Sequence, residues 1–294
     1  MEKTPKTCES CSKKSSCTVQ DAKPGESPEQ HRDRLLIERR LCSIKNKILV
    51  MSGKGGVGKS STAVNLALAL VQEGKAVGLL DVDIHGPSVP KMLGAESVRP
   101  KGTEEYMLPI DCHGLKVMSI GFLLPKQTDA IIWRGPMKTK VIQQFVRDVE
   151  WGDLDYLVVD CPPGTGDEPL SILQLLGKNI RAVIVTTPQE VALIDVKKSI
   201  TFCRQLDLPV LGVIENMSGF VCPHCGEVAD IFKSGGGERM ATEMEVPFLG
   251  RIPVDPAMVE AGDSGVPYVV AHGESPTAAS VQRIARGLIG QTGN

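Results

Sequence analysis

The chain has 294 residues, enough to bury one sizeable α/β core with a small appendage. Its 33 Lys and Arg are matched by 35 Asp and Glu, a formal charge of −2, so the bulk composition gives no pull toward nucleic acid or anionic lipid, and no nucleic-acid or membrane partner is expected. The apolar runs are strand-sized, none nears the roughly 20 residues that cross a bilayer, and the opening MEKTPKTCESCSKK lacks the apolar centre of a secretion signal, which makes a soluble, cytoplasmic protein the expectation.

Residues 1–30 are polar, aperiodic and rich in Lys, Ser, Glu and Pro, the composition of a flexible tail carrying three cysteines. The domain proper is expected over 31–294. HRDRLLIERRLC (31–42) reads as a short helix and NKILVMSG as a buried strand. SSTAVNLALALVQEG then has helical spacing with a closing glycine, and KAVGLLDVD is a second strand that ends in acids, which completes a βαβ unit. EEYMLPIDCHGLKVMSIG (104–121) predicts a hairpin turning near His113 and Gly114, an antiparallel addition at one edge. The strand pattern returns in DYLVVDCPPGTGD, RAVIVTTP and PVLGVIENMSG, and SPTAASVQRIARGLIG reads as an amphipathic helix that packs on the domain. The fold class is therefore α/β: three layers, with a mainly parallel sheet covered by helices on both faces, and ligands at the carboxyl ends of its strands.

Gly53, Lys54, Gly55, Gly56, Val57, Gly58, Lys59 and Ser60 satisfy G-x-x-x-x-G-K-[ST] between a predicted strand and a predicted helix. Glycines let backbone N–H groups wrap an anion, the helix start adds its dipole, Lys59 can reach the β and γ phosphates, and Ser60 can hold Mg²⁺. Ser61 continues this nucleotide-binding run. Lys54 sits too early to be the phosphate lysine of its own chain. Asp81, Asp83 and Asp160 stand at strand ends, where carboxylates handle metal or water; a capping or supporting role competes for Asp81.

Nine cysteines in a reducing compartment do not form a disulfide framework, so their spacing carries the information. Cys42, Cys112, Cys161 and Cys203 are isolated and read as small buried hydrophobes or ordinary thiols. Cys222 and Cys225 form a C-x2-C, which fits a redox dithiol, half a zinc site or half an iron–sulfur site. A dithiol of the thioredoxin kind needs a helix N-terminus, whereas GEVADIF after the second cysteine reads as turn and strand. A sulfur-only site needs four thiolates, and a two-fold dimer would bring four together. Cys8, Cys11 and Cys17 add a C-x2-C-x5-C group in the tail.

SGKGGVGKSS resembles the deviant Walker A family that includes the nitrogenase iron protein, MinD, ParA and the Mrp/ApbC iron–sulfur carriers. Together with DVDIHGPSVPKMLG, WRGPMK, DYLVVDCPPGTGDEPLS, TTPQEVAL, ENMSGFVCPHCG, FKSGGGERMA and FLGRIPVDP, it is most similar to the Mrp/ApbC carriers over roughly residues 45–290. That resemblance implies a homodimeric ATPase with ATP and Mg²⁺ as ligands, which bridges a [4Fe–4S] cluster through Cys222 and Cys225, within a metal-binding segment at 217–234, and delivers it to apo iron–sulfur proteins. It also implies that Lys54 crosses the dimer interface to the partner's nucleotide, that Asp83 is the switch I carboxylate that handles the attacking water, and that Asp160 supports Mg²⁺. PPGTGD (162–167) would be switch II, and Asn216 would contact adenine, with a turn-forming asparagine as the competing reading. The tail resembles the N-terminal cluster of the nucleotide-binding-protein branch of cytosolic iron–sulfur assembly, but only seven residues precede Cys8, so either a fourth ligand would come from Cys42, a partner subunit or an exogenous thiolate, or the tail would bind a cluster weakly. A MinD/ParA-like positioning ATPase, an electron-transferring reductase and a zinc-bridged dimeric ATPase are the alternatives.

Overall fold

Nine residues of mostly apolar sequence, Ile44–Ser52, form the strand β1, in which only Lys45 is exposed. The computed structural model describes residues 24–83, 86–103, 106–123, 135–177, 179–222, 225 and 227–293. β1 pairs in parallel with β5 (Leu154–Asp160) on one side and β6 (Ile180–Thr186) on the other, and a strand with two neighbours and two covered faces must be apolar throughout. β2 (Val77–Asp81) joins β5, and β7 (Val210–Val221) joins β6. The order is β3-β4-β2-β5-β1-β6-β7-β8, with β9 (Phe248–Val254) also on β7. β3 (Ile110–Cys112) and β4 (Leu115–Ser119) form the expected edge hairpin, in which β4 runs parallel to β2 and β3 antiparallel to β4. Its two turn residues, His113 and Gly114, have φ of 56° and 79°, the left-handed pair that matches the twist of a two-residue hairpin.

Helix α1 (Pro28–Leu41) starts earlier than the periodicity alone indicates, at a capping box in which the Ser27 hydroxyl and Gln30 amide side chains satisfy each other's backbone N–H groups. It packs on α4 (Gly135–Asp148), where Arg147 pairs with Asp33 at 3.0 Å and Arg40 pairs with Glu150. α2 (Lys59–Gln72) is buried over most of its length because the sheet lies on one side and α10 (Pro276–Thr292) on the other. α10 also packs on β9, as its amphipathic spacing requires. α3 (Val89–Met92) and α8 (Pro256–Ser264) meet where Gly94 and Gly265 approach so closely that a Cβ on either would strike the other's backbone. The hydroxyl of buried Tyr268, at the start of α9 (Tyr268–Ala271), donates to Asp255 and lies 2.8 Å from the Ser275 hydroxyl. Asp255 and Ser275 are the N-caps of α8 and α10, so one phenol ties two helix starts together. The remaining helices are α5 (Asp167–Leu176), α6 (Glu190–Gln205) and α7 (Gly236–Glu243). Among the described residues no helix is long and apolar enough to cross a membrane.

Candidate nucleotide and thiolate sites

Parallel strands deliver their carboxyl ends to one edge. There Asp81 of β2 and Asp160 of β5 are register partners, Asp160 also pairs with Val50 of β1, and the glycine loop 53–58 leaves β1 for α2. The loop is held from two sides. Gly53 lies against the backbone of α6, where a Cβ would come within 2.4 Å of the Asp195 carbonyl carbon. Gly58, the left-handed N-cap of α2 with φ 78°, has the side-chain amide of Asn216 where its Cβ would be. Gly55 and Gly56 are exposed with nothing near them, so the open side of the loop presents backbone to whatever binds. The turn 162–167 docks on the same edge through the Gly164 N–H, which donates to the Ser52 carbonyl at 2.8 Å.

Lys59 is 6 % exposed, with its Nζ 2.5 Å from Asp160 Oδ1, 3.6 Å from Asp83 Oδ2 and 3.3 Å from Ser60 Oγ. Burial alone would lower its pKa, but the Asp160 and Asp83 carboxylates outweigh that and hold it raised and charged. Asp160 is pushed up by burial against the pull of Lys59. Asp81, fully buried, is raised by burial and by the neighbouring Asp160. It accepts from the Ser119 hydroxyl at 2.7 Å and from the Asp83 N–H at 3.1 Å, which gives it the supporting role: it fixes the turn that carries Asp83. Asp160 Oδ2 is buried and accepts no hydrogen bond from the described residues. An orphaned carboxylate oxygen beside the Ser60 hydroxyl fits a hydrated Mg²⁺, a hard cation that takes oxygen ligands and keeps waters. Lys54 is half-buried, its carbonyl accepts from Ser52 Oγ at 3.0 Å, and its ammonium makes no ion pair or hydrogen bond among the described residues. Ser61 serves α2 itself, since its carbonyl accepts from Asn65 at 2.9 Å.

Asn216 belongs to β7 and donates its side-chain amide to the Val57 carbonyl at 2.9 Å, so it braces the glycine loop. Four residues further on, β7 has become one arm of a short antiparallel hairpin with β8 (Val228–Ala229), where Phe220 pairs with Ala229 and Val221 with Val228. Cys222 and Cys225 lie in the tip of that hairpin. Cys222 is half-buried, with its N–H donating to the Glu227 carbonyl at 2.9 Å; Cys225 is exposed, 4.0 Å from a Glu227 carboxylate oxygen. This is the turn and strand expected after the C-x2-C. Among the described residues no three His, Cys, Asp or Glu side chains gather to hold a metal, so among them the hairpin tip offers two thiols.

The other cysteines are scattered. Cys42 follows α1 at the opposite edge of the sheet and is exposed, and Cys112 is half-buried in β3. Cys161 and Cys203 are buried; burial raises the Cys161 thiol well above its ordinary range and pushes Cys203 up to about 12. Cys8, Cys11 and Cys17 lie outside the described residues, as do Trp133 and Arg134 of the WRGPMK motif. Sequence reasoning passed over Glu215, whose buried carboxylate accepts from Ser218 Oγ at 2.5 Å and from the N–H groups of Gly235, at 2.9 Å, and Gly237. The signal was present in SGGGER, a glycine-rich helix start in want of an anion, and in the acid inside the apolar run VIEN.

The family model for NUBPL iron-transfer P-loop NTPases, of the ParA group, matches residues 43–289. An iron–sulfur cluster carrier protein of Methanocaldococcus jannaschii is 51 % identical over 271 residues, covering 90 % of this chain and 89 % of that one. A cytosolic Fe–S cluster assembly factor, the NUBP2 homolog of Trichoplax adhaerens, is 48 % identical over 257 residues, with 86 % and 97 % covered. Among solved structures, the nucleotide-binding protein of Archaeoglobus fulgidus in complex with ADP superposes with a TM-score of 0.71 at 40 % identity, over 82 % of this chain and 94 % of that one. The cell division ATPase MinD of Pyrococcus furiosus gives 0.60 at 26 % identity, over 84 % and 99 %.

Proposed function

This chain belongs to the NUBPL iron-transfer P-loop NTPase family, and on that premise we propose that it is an ATP-dependent iron–sulfur cluster carrier, which holds a [4Fe–4S] cluster as cargo between two copies of itself and passes it to apoproteins. The observation that carries this reading is the placement of Cys222 and Cys225 at the tip of the β7–β8 hairpin, two thiols where a four-sulfur site needs four. A two-fold axis beside the hairpin supplies the other pair. The positioning-ATPase reading shares the fold and gives these cysteines no work. That the Trichoplax relative is a cytosolic Fe–S cluster assembly factor supports a cytosolic setting.

The chemistry proposed for the nucleotide is hydrolysis of ATP. Backbone N–H groups of the 53–58 loop and the start of α2 receive the phosphates. Lys59, already charged and held by Asp160, stands ready to turn to the β and γ phosphates. Ser60 and Asp160 would hold Mg²⁺, which when bound neutralises charge on the phosphate oxygens. Asp83, set by its backbone contact with Asp81, orients the attacking water. The ammonium of Lys54 is offered to the nucleotide of the second copy, where it stabilises charge on the transferring phosphoryl group.

The test is iron, acid-labile sulfide and zinc per dimer after anaerobic purification, on the wild type and on a Cys222→Ala, Cys225→Ala double variant. Four irons and four sulfides, lost in the variant, support the carrier. Zinc without sulfide, or no metal, overturns it.

A further inference from the structure

Between Asn216 and Phe220 the long strand β7 breaks register with β9: Asn216 faces Ile252 and Phe220 faces Val254, so four steps on one strand match two on the other. Met217 and Gly219 take the two left-handed conformations, φ 57° and 75°, that accommodate the extra residues. Below this bulge β7 touches the phosphate loop through Asn216, and above it β7 carries the cysteine hairpin. A bulge with no further support would let those two ends move independently.

Here the bulge is clamped. Ser218, its central residue, donates its hydroxyl to buried Glu215 and lies 3.1 Å from the Ser234 hydroxyl. The same Glu215 carboxylate receives the Gly235 and Gly237 N–H groups at the start of α7 and lies 3.5 Å from Arg251 of β9. A carboxylate with no exposed surface and this many donors is rigidly placed. The α7 start is also wedged, because a Cβ on Gly236 would meet the Pro188 carbonyl at 2.3 Å and one on Gly237 would meet Glu215 at 2.9 Å.

We propose that Glu215 and Ser218 are positioning residues that couple nucleotide occupancy of the phosphate loop to the placement of the Cys222–Cys225 hairpin. Nucleotide binding acts on Asn216 through the Val57 carbonyl. The adjacent Glu215, joined rigidly to Ser218 and to the start of α7, makes the bulge and α7 follow Asn216 as one body, so the displacement reaches the hairpin. This deepens the carrier reading and rests on it for its purpose, since a carrier must make cargo grip depend on nucleotide state, but the coupling is a property of one chain and can be read without any cluster.

The experiment is thiol labelling of Cys225 in the metal-free full chain, followed at the peptide level by mass spectrometry, with and without a non-hydrolysable ATP analogue and Mg²⁺. In the wild type the analogue changes the labelling rate at least threefold. In Ser218→Ala, with a cooperative thermal transition retained and an analogue Kd within about twofold of wild type, that change collapses to near unity, and Glu215→Gln gives the same loss. Ser218→Thr, which keeps the hydroxyl, restores it. A wild-type rate indifferent to the analogue, or a Ser218→Ala chain that keeps the full response, overturns the proposal. Should Ser218→Ala fail to fold, the Glu215→Gln and Ser218→Thr pair decides on the same readout. Iron and sulfide retained alongside an absent labelling response would sink the coupling and leave the carrier standing; a coupled response in a protein that binds no iron would do the reverse.

Discussion

Asn216 and Gly58 occupy one another's space: the asparagine amide that donates to Val57 stands 2.2 Å from where a Cβ on Gly58 would be. Gly58 has two reasons to be glycine, its left-handed φ and this close approach, and each alone costs an alanine about 1–2 kcal/mol. Asn216→Ala removes a single neutral hydrogen bond, about 0.5–1.5 kcal/mol, and should weaken ADP binding roughly 2- to 10-fold. Gly58→Ala should weaken it at least tenfold. In the double variant the clash is gone, so isothermal titration should give a loss smaller than the sum of the two; strict additivity would mean the contact has no energetic meaning.

Lys59 lies within ion-pair distance of both Asp160 and Asp83. Lys59→Ala should abolish ATP hydrolysis. It should also cost stability, because breaking a buried pair leaves a carboxylate uncompensated; the ceiling is about 3–5 kcal/mol, lowered as Asp160 takes up a proton. Phosphate release and urea denaturation of the variant check the two halves. A variant as stable as the wild type would mean that Asp160 is already neutral when Lys59 is absent.

If Lys54 acts across the dimer, its loss damages the partner's site and spares its own. Lys54→Ala and Asp83→Ala chains should each be inactive alone. Mixed, they form hybrid dimers in which one of the two sites has its own Asp83 and the partner's Lys54, so about a quarter of wild-type activity should return. Hydrolysis that stays at zero after mixing would place Lys54 in its own chain's site.

Lys47 is buried in β1 and donates to the Leu176 carbonyl at the end of α5, and burial lowers its ammonium to about 8. The unfolded value is about 10.4. Between the two the unfolded chain binds more protons, so this residue makes stability rise with pH, and its penalty is fully present below about 8. Going from about pH 7.5 to 9.5, wild type should gain about 2 kcal/mol relative to Lys47→Met in urea unfolding. A difference that stays flat across that window would show the ammonium to be solvated.

The parts of the molecule that were readable in the sequence are those whose chemistry is written contiguously. A phosphate cradle needs its glycines, lysine and hydroxyl in one run, so residues 53–60 declare themselves, and the β3–β4 hairpin follows from His113–Gly114 between apolar strands. Glu215 is different. Its partners lie 3, 20 and 22 residues away, and whether an acid in an apolar strand is buried depends on which helix start folds over it. Asn216 was singled out for a base contact; the structure adds its bond to Val57, which no local pattern announces. The early start of α1 was legible after all, in the Ser27–Gln30 capping box, and the hydrophobic periodicity that begins later drew attention away from it.

The contact behind Gly53 bears on how this chain can drift in sequence. The helix meets the loop with its backbone and Cβ at Asp195, so nearly any residue can replace that aspartate without the phosphate loop registering the change. No residue but glycine can stand at 53. Two positions in intimate contact thus have opposite freedoms: one is free to vary, the other is held by a neighbour whose identity is immaterial. A comparison of side chains would find no correlated change between them, although α6 meets the loop at this point.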